Sequence, residues 1–375
     1  MPVINGLNYP DKIKLKVLVV TGSSGGHIFP ALAFLEAIKE QHPDIEVFFV
    51  LPEKNVIKEN VRFNYEVKYV KLCAITRRVD AKNIRNILNF ISGSLQTLNV
   101  LLKFQPDIVV GFGSLVTFPA IMFAWLLRIK ILIHEQNVIP GRANRFLAGF
   151  VDKVAVSFQE TKAYLADYKR KIVVTGNPLR KSVAYSDKIK AFDFFGFGPD
   201  KFTILVMGGS LGSHRINKEF FKALSCFKDR DLLQVIHLTG AFDYEMLNSQ
   251  YKDLGVKCAV FRFFDSMQYA YSVSDLVISR AGATAVAEII FFNLPAILVP
   301  YPYAYQHQYK NAKVLEENGC GIIIEDKEFE ADNLRLKLEP LLRDRKKIEA
   351  MRLNYNVFPK VNAGDLLVKE VMAMN

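Results

Sequence analysis

The sequence predicts an α/β fold of two parallel-sheet halves that face a central cleft. Three observations predict it. Short β-rich runs alternate with helical segments along the chain, the pattern of parallel strands joined by crossover helices. A glycine-rich turn follows a strand near residue 21 and another follows a strand near residue 208, so the pattern opens twice. At 375 residues the chain is too long for one ordinary core and suits two domains.

The elements follow in order. The apolar run Lys16–Val20 leads into the loop Gly22–Gly26 and a helical stretch over Pro30–Glu40. Further strands are expected at Glu46–Leu51, at Asp107–Val110 (ending in Gly111-Phe112-Gly113), at Ile131–His134 and at Lys153–Ser157. Gly176-Asn177-Pro178 marks a break, and a loose polar and aromatic stretch runs on to about Lys201. A new strand, Thr203–Met207, ends in Gly208-Gly209-Ser210-Leu211-Gly212 and is followed by a helix over Ser213–Leu224. Strands at Leu233–Leu238, Cys258–Arg262, Leu276–Ser279 and Ala296–Val299 complete the second sheet. Two strand–glycine–helix openings read as two Rossmann-like halves, whose ligands sit at the carboxyl ends of the strands, in the cleft between them.

Composition narrows the function. Half of the residues are apolar and 23% are charged, as in folded globular chains. The four cysteines, Cys73, Cys226, Cys258 and Cys320, form no CxxC pair, so neither a zinc site nor a redox motif is visible. Such sparse thiols fit a reducing compartment. The N-terminus lacks a basic region followed by an apolar run and does not read as a signal peptide. The longest apolar stretch, Phe118 to Leu127, is ten residues, against the roughly 20 a spanning helix needs. A net charge of +11 favours phosphorylated or anionic partners. Without a zinc finger or a basic-aromatic array, nucleic acid is not expected.

Several motifs stand where a cleft would be. Thr21-Gly22-Ser23-Ser24-Gly25-Gly26-His27 joins a strand to a helix, where glycines let the backbone approach a ligand and free N–H groups carry a partial positive charge. Alone it could be a tight turn. His27 adds a general base over the cleft floor. The spacing is not that of a dinucleotide fingerprint, and Glu53, the one acidic candidate, follows Pro52 in a loop. Gly208, Gly209, Ser210 and Gly212 form a diphosphate cradle that is not a Walker loop. After the Leu276–Ser279 strand, Arg280 to Glu288 put Thr284 and Glu288 on one helix face, where a carboxylate could hold ribose hydroxyls or be a solvated charge. His134-Glu135-Gln136-Asn137 and Gly141 to Arg145 belong at a strand's carboxyl end. The amides and hydroxyls of Tyr303 to Ala312 suit sugar recognition or a polar helix start. Asp229-Arg230-Asp231 reads as surface rather than as a metal motif.

Residues 71–105 carry a net charge of +5. Their apolar stripe, Ile84, Ile87, Leu88, Ile91, Leu95, Leu98 and Leu102, reads as mostly core. The basic cluster before it either rests on anionic lipid or is a solvated face.

Six of these motifs, in order over residues 17 to about 325, resemble the MurG family, N-acetylglucosaminyltransferases of bacterial peptidoglycan synthesis. They are Gly22–Pro30, His134–Asn137, Gly176–Arg180, Gly208–Gly212, Arg280–Glu288 and His307–Ala312. The chain departs from the family pattern at Ser23 and Ser24 in the first loop, at Gly113 to Thr117, and at Tyr305-Gln306, where an acidic residue is usual. The resemblance implies a GT-B fold, with residues 1–176 as an acceptor and membrane-side domain and 177–355 as a UDP-sugar domain. Residues 356–375 would return to the first domain. It implies UDP-N-acetylglucosamine as donor and undecaprenyl-diphosphate-linked N-acetylmuramyl-pentapeptide as acceptor, with no metal or other cofactor. His27 would be the base, with Ser24, Gly25 and Gly26 on the acceptor side. Arg180 and Ser210 would meet the diphosphate, Glu288 the ribose, and Phe264 with Phe263 the uracil. Asn137, Ala283, Thr284 and Gln308 would surround the sugar. The expected location is peripheral, on the cytoplasmic side of the inner membrane.

Rival readings are a glycolipid synthase or a UDP-sugar epimerase of the same fold, a non-catalytic nucleotide-sugar-binding subunit, and, most remotely, a dehydrogenase. Diacylglycerol acceptance, acceptor-free turnover, indifference to His27 and nicotinamide binding would distinguish them.

Overall fold

The computed structural model describes residues 14–53, 65–72, 81–183, 187–209, 212–303 and 306–375, with the backbone alone for 81–84. The first sheet contains β1 (Lys16–Val20), β2 (Glu46–Pro52), β3 (Glu66–Val70), β4 (Ile108–Gly111), β5 (Lys130–Glu135), β6 (Lys153–Val156) and β7 (Ile172–Val174). The second contains β8 (Phe202–Met207), β9 (Leu233–Leu238), β10 (Lys257–Phe261), β11 (Leu276–Ser279), β12 (Ala296–Leu298) and β13 (Gly321–Ile323). Their spatial orders are β3-β2-β1-β4-β5-β6-β7 and β10-β9-β8-β11-β12-β13. Every pairing is parallel. The central strands are continuous apolar runs buried along their length, as a sheet covered on both faces requires. Each order reverses beside its first strand, so the crevices lie between β1 and β4 and between β8 and β11.

Helices cover both faces. In the first domain these are α1 (Gly25–Gln41), α2 (Ala81–Phe104), α3 (Phe118–Leu126) and α4 (Arg142–Leu147). The second domain has α5 (Lys188–Phe195), α6 (His214–Ser225), α7 (Tyr244–Leu254), α8 (Met267–Val273), α9 (Ala283–Phe292), α10 (His307–Glu317), α11 (Ala331–Arg343) and α12 (Arg345–Asn354). The last helix, α13 (Ala363–Met372), packs on the first sheet beside α1: Leu367, Val368 and Val371 join Val17, Val19, Phe34 and Ile38 in one core. Lys153 anchors it through Glu370 at 2.6 Å, and Gln41 donates to Asp365 at 2.7 Å. Burial of each large apolar side chain contributes about 1.5–3 kcal/mol.

The domains also meet directly. The Asn311 side chain on α10 donates to the Asn137 Oδ1 at 3.0 Å and accepts from the Val138 amide at 3.0 Å. His307 Nδ1 lies 2.9 Å from the carbonyl of Ile139. On the other side of the cleft, Lys181 donates its backbone N–H to Glu36 and pairs through Nζ with Glu40 at 2.7 Å, both on α1.

Several elements differ from the sequence expectation. Helix α1 begins at Gly25, five residues before Pro30; the proline sits inside it and, lacking an N–H, forms no i→i−4 bond of its own. The stretch expected to be loose contains α5, closed by Asp187, whose carboxylate accepts from the Ile189 amide, and ended by Gly196 in the left-handed region. Strands β3, β7 and β13 carry no long apolar run because they lie at or beside sheet edges, and β3 exposes Glu66, Lys68 and Tyr69. The apolar stripe on α2 is not core: Leu88, Ile91, Leu95 and Leu102 are exposed. The face that packs carries Phe90, Val100, Leu101 and Phe104 instead. With two apolar faces on one helix, periodicity alone could not choose between them. Cys73, Arg77, Arg78 and Asp80 lie outside the described residues.

Leu367 is fully buried between α13 and the first sheet. Leu367→Ala is expected to cost about 2–5 kcal/mol, the range for a buried leucine truncation. Urea unfolding measures it; a loss below about 0.5 kcal/mol, typical of a surface change, would mean the helix is not integral to that domain.

Candidate active site

His27 lies in the first turn of α1, at the carboxyl end of β1, where the switch point places a ligand. Its ring sits between two backbone segments. A Cβ added to Gly22 would lie 3.0 Å from its Cδ2, and one added to Gly113 would lie 3.3 Å from its Nδ1 and Cε1. Gly113 has φ +78°, so a side chain there would be strained as well as crowded. His27 Nδ1 is 3.0 Å from Gln136 Oε1, and among the described residues no protein group hydrogen-bonds its Nε2.

The four residues at the end of β5, His134 to Asn137, divide by alternation. Glu135 and Asn137 turn one way. The Glu135 carboxylate accepts from the amides of Asn137 and Gly141 at 2.9 Å and from the Asn144 side chain at 2.9 Å. It therefore builds the loop into α4. Asn137 is engaged at both ends of its amide, by Glu135 and by Asn311. His134 and Gln136 turn the other way, toward His27, and both are buried. Burial lowers the His134 pKa to about 4; its hydrogen bond to the Gly176 carbonyl opposes the shift and the neighbouring His27 adds to it.

Across the cleft, the loop after β8 turns on Gly208, Gly209 and Gly212. A Cβ on Gly212, at φ +78°, would meet the Thr239 carbonyl at 2.2 Å, so the loop is locked against the end of β9. Ser210 lies outside the described residues. The loop is braced from below. Arg280 donates to Ser213 Oγ at 2.9 Å and pairs with Asp326 at 2.5 Å. Asn217 donates to Asp243 at 2.7 Å, which also meets His214 at 2.8 Å. Buried His237 completes this network between Asn217 and Tyr251, and burial lowers its pKa to about 3.

The other expected donor residues gather around α9. Glu288 receives the Tyr271 hydroxyl at 2.7 Å on one carboxylate oxygen. Burial raises its pKa, opposed by that hydrogen bond and by the Arg180 charge. Arg180 stacks over the ring of Phe29 on α1, 4.1 Å from its centroid, so it bridges the first helix and the Glu288 region. Thr284 has a buried hydroxyl with no hydrogen-bond partner among the described residues. Gln308 accepts from the amides of Ala281 and Tyr301 through Oε1, which holds the Arg280–Gly282 turn beside α10. Ala283 is the first residue of α9 and is buried. Phe264 is buried in an aromatic cluster with Phe194, Phe195 and Phe261, whereas Phe263 is half exposed. Ser24, Gly25 and Gly26 form the other wall, and a Cβ on Gly26 would meet nothing within 4 Å.

The helices that start at the two switch points are not capped by side chains. Ser24 before α1, Ser213 before α6 and Gly282 before α9 make no side-chain cap bond, whereas α12 and α13 are closed by Asp344 and Asn362. Free N–H groups and helix dipoles therefore converge on one space, where they stabilise anionic oxygens. The second-domain side is shaped for an anionic group, and His27 presents an imidazole on the first. Sequence reading missed Asn311 as a clasp between domains, Gln136 as the partner of His27, and Tyr271 as the partner of Glu288. The first two lie inside motifs that were read as units; for Gln136 only the alternation of side chains about the strand end could have separated it from its neighbours.

This arrangement of two facing Rossmann-like domains, with glycine-rich loops at the strand ends and a histidine at the first switch point, is that of a glycosyltransferase of the GT-B class. Residues 17–156 match the glycosyltransferase family 28 N-terminal domain and residues 203–366 match the glycosyltransferase family 28 C-terminal domain. The chain is 34% identical over 368 residues to the UDP-N-acetylglucosamine–N-acetylmuramyl-(pentapeptide) pyrophosphoryl-undecaprenol N-acetylglucosamine transferase of Alkaliphilus metalliredigens, covering 96% of this chain and 99% of that protein. It is 33% identical over 358 residues to the protein of the same name from Thermodesulfovibrio yellowstonii, covering 95% and 97%. The crystal structure of Acinetobacter baumannii MurG superposes with a TM-score of 0.73 at 25% identity, over 96% of this chain and 99% of that one. The chain belongs to the MurG family, as its six motifs suggested.

The neutral, buried rings of His134 and His237 make stability sensitive to acid. Their native pKa values lie below the ordinary 6.5, so the unfolded state binds the extra protons as pH falls. Stability is fully present above about pH 6.5 and is lost toward pH 4 for His134 and pH 3 for His237. Between pH 7.5 and 5.0 each ring removes about 2 kcal/mol. Urea titrations should show His134→Gln losing about 2 kcal/mol less than wild type between pH 7.5 and 5.0, because it keeps only the His237 share; parallel pH dependences would refute the His134 share.

Proposed function

We propose that this chain transfers N-acetylglucosamine from UDP-N-acetylglucosamine to the C4 hydroxyl of undecaprenyl-diphosphate-linked N-acetylmuramyl-pentapeptide, with His27 as general base. The observation that carries the reading is the placement of His27. Its Nδ1 is occupied by Gln136, and its Nε2 is left open at the carboxyl end of β1, opposite uncapped second-domain helices. The acceptor hydroxyl attacks the anomeric carbon as the bond from that carbon to the diphosphate oxygen breaks. His27 takes the hydroxyl proton, and UDP leaves from the opposite face, so the centre inverts. Charge growing on the diphosphate is met by Arg180, Ser210, the glycine loop after β8 and the dipole of α6. Glu288 keeps one oxygen for the ribose while Tyr271 occupies the other. The unpaired Thr284 hydroxyl gains a partner in the donor, beside Asn137, Ala283 and Gln308. The Phe264 backbone, with Phe263, meets the uracil. The proposed division is 1–176 for the acceptor, 177–355 for the donor and 356–375 for the returning helix.

The acceptor is lipid-linked, and the first domain offers a surface for lipid. Among the described residues no helix is long and apolar enough to cross a membrane. The exposed stripe of α2 lies beside α3, whose end exposes Trp125, Leu126 and Leu127. Trp125, Phe150 and the exposed Phe146 stack in series. Arg85, Lys103, Arg128, Arg142 and Arg145 are exposed in the same helices and their ends. An apolar face with basic neighbours suits the interface of an anionic leaflet, and the reading places the chain peripherally on the cytoplasmic face of the plasma membrane.

UDP release with and without the lipid-linked acceptor tests the reaction. Acceptor-dependent release with a β-linked disaccharide product is expected, and His27→Ala should lower kcat by about 10² or more. Acceptor-free turnover would move the reading to an epimerase, and turnover on diacylglycerol to a glycolipid synthase. Leu88→Glu/Leu95→Glu should weaken sedimentation with phosphatidylglycerol vesicles about tenfold or more. The same double variant should leave turnover of a short-chain soluble acceptor intact, and unchanged sedimentation would remove α2 from the membrane surface.

A further inference from the structure

Three backbone carbonyls beside His27 have no choice of role. Those of Gly176, Phe112 and His134 can only accept hydrogen bonds. His134 Nε2 lies 3.0 Å from the Gly176 carbonyl, so that nitrogen carries the proton. In the neutral ring Nδ1 is then a bare acceptor. One end of the Gln136 amide faces this Nδ1 at 3.1 Å, the His134 carbonyl at 3.1 Å and the Phe112 carbonyl at 3.4 Å. Three acceptors surround that end, so it is the NH2. The other end is the amide oxygen, 3.0 Å from His27 Nδ1. An oxygen there requires a proton on His27 Nδ1, which leaves the lone pair on Nε2.

We propose that His134 and Gln136 are positioning residues that lock His27 in its Nδ1–H tautomer and so aim its Nε2 lone pair at the acceptor hydroxyl. The inference rests on the reading of His27 as general base. A chain of fixed donors and acceptors runs from the Gly176 carbonyl through His134 and Gln136 to His27, and each link dictates the next. His134 and Gln136 are buried, so water does not compete for these atoms. The ring of Phe112 packs against that of His134, with centroids 5.4 Å apart, and the backbones of Gly22 and Gly113 flank the His27 ring. Flipping the ring would bring its carbon edge to the Gln136 oxygen and forfeit the hydrogen bond.

The choice of an amide follows from the same geometry. In a serine-protease triad a carboxylate holds the histidine tautomer. A carboxylate at position 136 would press one oxygen against three acceptors in a buried site, at a desolvation cost that nothing nearby offsets. Glutamine is a donor at one end and an acceptor at the other, so it carries orientation from the carbonyls to His27 without placing a charge there.

Long-range 1H–15N NMR of histidine-labelled wild-type protein at pH 8 tests the lock without any substitution. The expected spectrum has a protonated Nδ1 and an unprotonated Nε2 for His27, and the reverse for His134. A protonated Nε2 on His27 would overturn the proposal. Gln136→Met keeps the length and removes the amide oxygen. It should return His27 to a tautomer mixture and lower kcat about tenfold or more, the low end for loss of base orientation, with KM for UDP-N-acetylglucosamine unchanged. A folded Gln136→Met protein with wild-type kcat would overturn it too. Failure of the underlying reading looks different: His27→Ala would turn over like wild type although the wild-type spectrum shows the Nδ1–H form.

Discussion

A parallel sheet has one edge at which strands end and helices begin, and this protein has two such edges turned toward each other. Free amide groups and helix dipoles collect at that edge by construction. Everything that surrounds the cleft is arranged around this one constraint. The loops are short and glycine-rich because side chains there would collide with neighbouring backbone, as at Gly212 against Thr239. The helices that open into the cleft are left without side-chain caps. Substrate oxygens can therefore complete hydrogen bonds that the protein itself leaves open.

Behind each loop stands a polar network whose members satisfy one another. In the first domain it runs from Gly176 through His134 and Gln136 to His27. In the second it links Tyr251, His237, Asn217, Asp243 and His214, with Arg280 and Asp326 bracing Ser213 beside it. Buried polar groups are costly when unpaired and rigid when paired. Both networks therefore hold geometry, and both depend on neutral histidines that burial keeps from charging.

The sequence made the double opening and most central strands legible, because buried parallel strands are written as unbroken apolar runs. Edge strands β3 and β13 were hidden for the opposite reason: one is polar and the other three residues long. On α2 the period was visible and its meaning was not, since a helix with two apolar faces gives the same repeat whichever face is buried. Near the cleft, spacing singled out His27 and the glycine loops, and the fold places them at the switch points. Spacing could not show that His134-Glu135-Gln136-Asn137 serves two tasks. Alternation sends His134 and Gln136 to His27 and Glu135 and Asn137 to the loop and the neighbouring domain. On sequence the Glu288 carboxylate could be a ribose ligand or a solvated charge; its partner, Tyr271, comes from a different helix, a contact only folding could reveal.

Because α13 returns to the first domain, the chain passes between the halves twice, once after β7 and once before α13. Two covalent tethers define a line. A body held to another by two points on a line keeps one easy freedom, rotation about that line, and loses both twist and sideways slip. The halves then behave as the leaves of a door on two hinges. The hydrogen bonds of Asn311 to Asn137 and Val138 add a third, non-covalent tie that such a rotation would have to break.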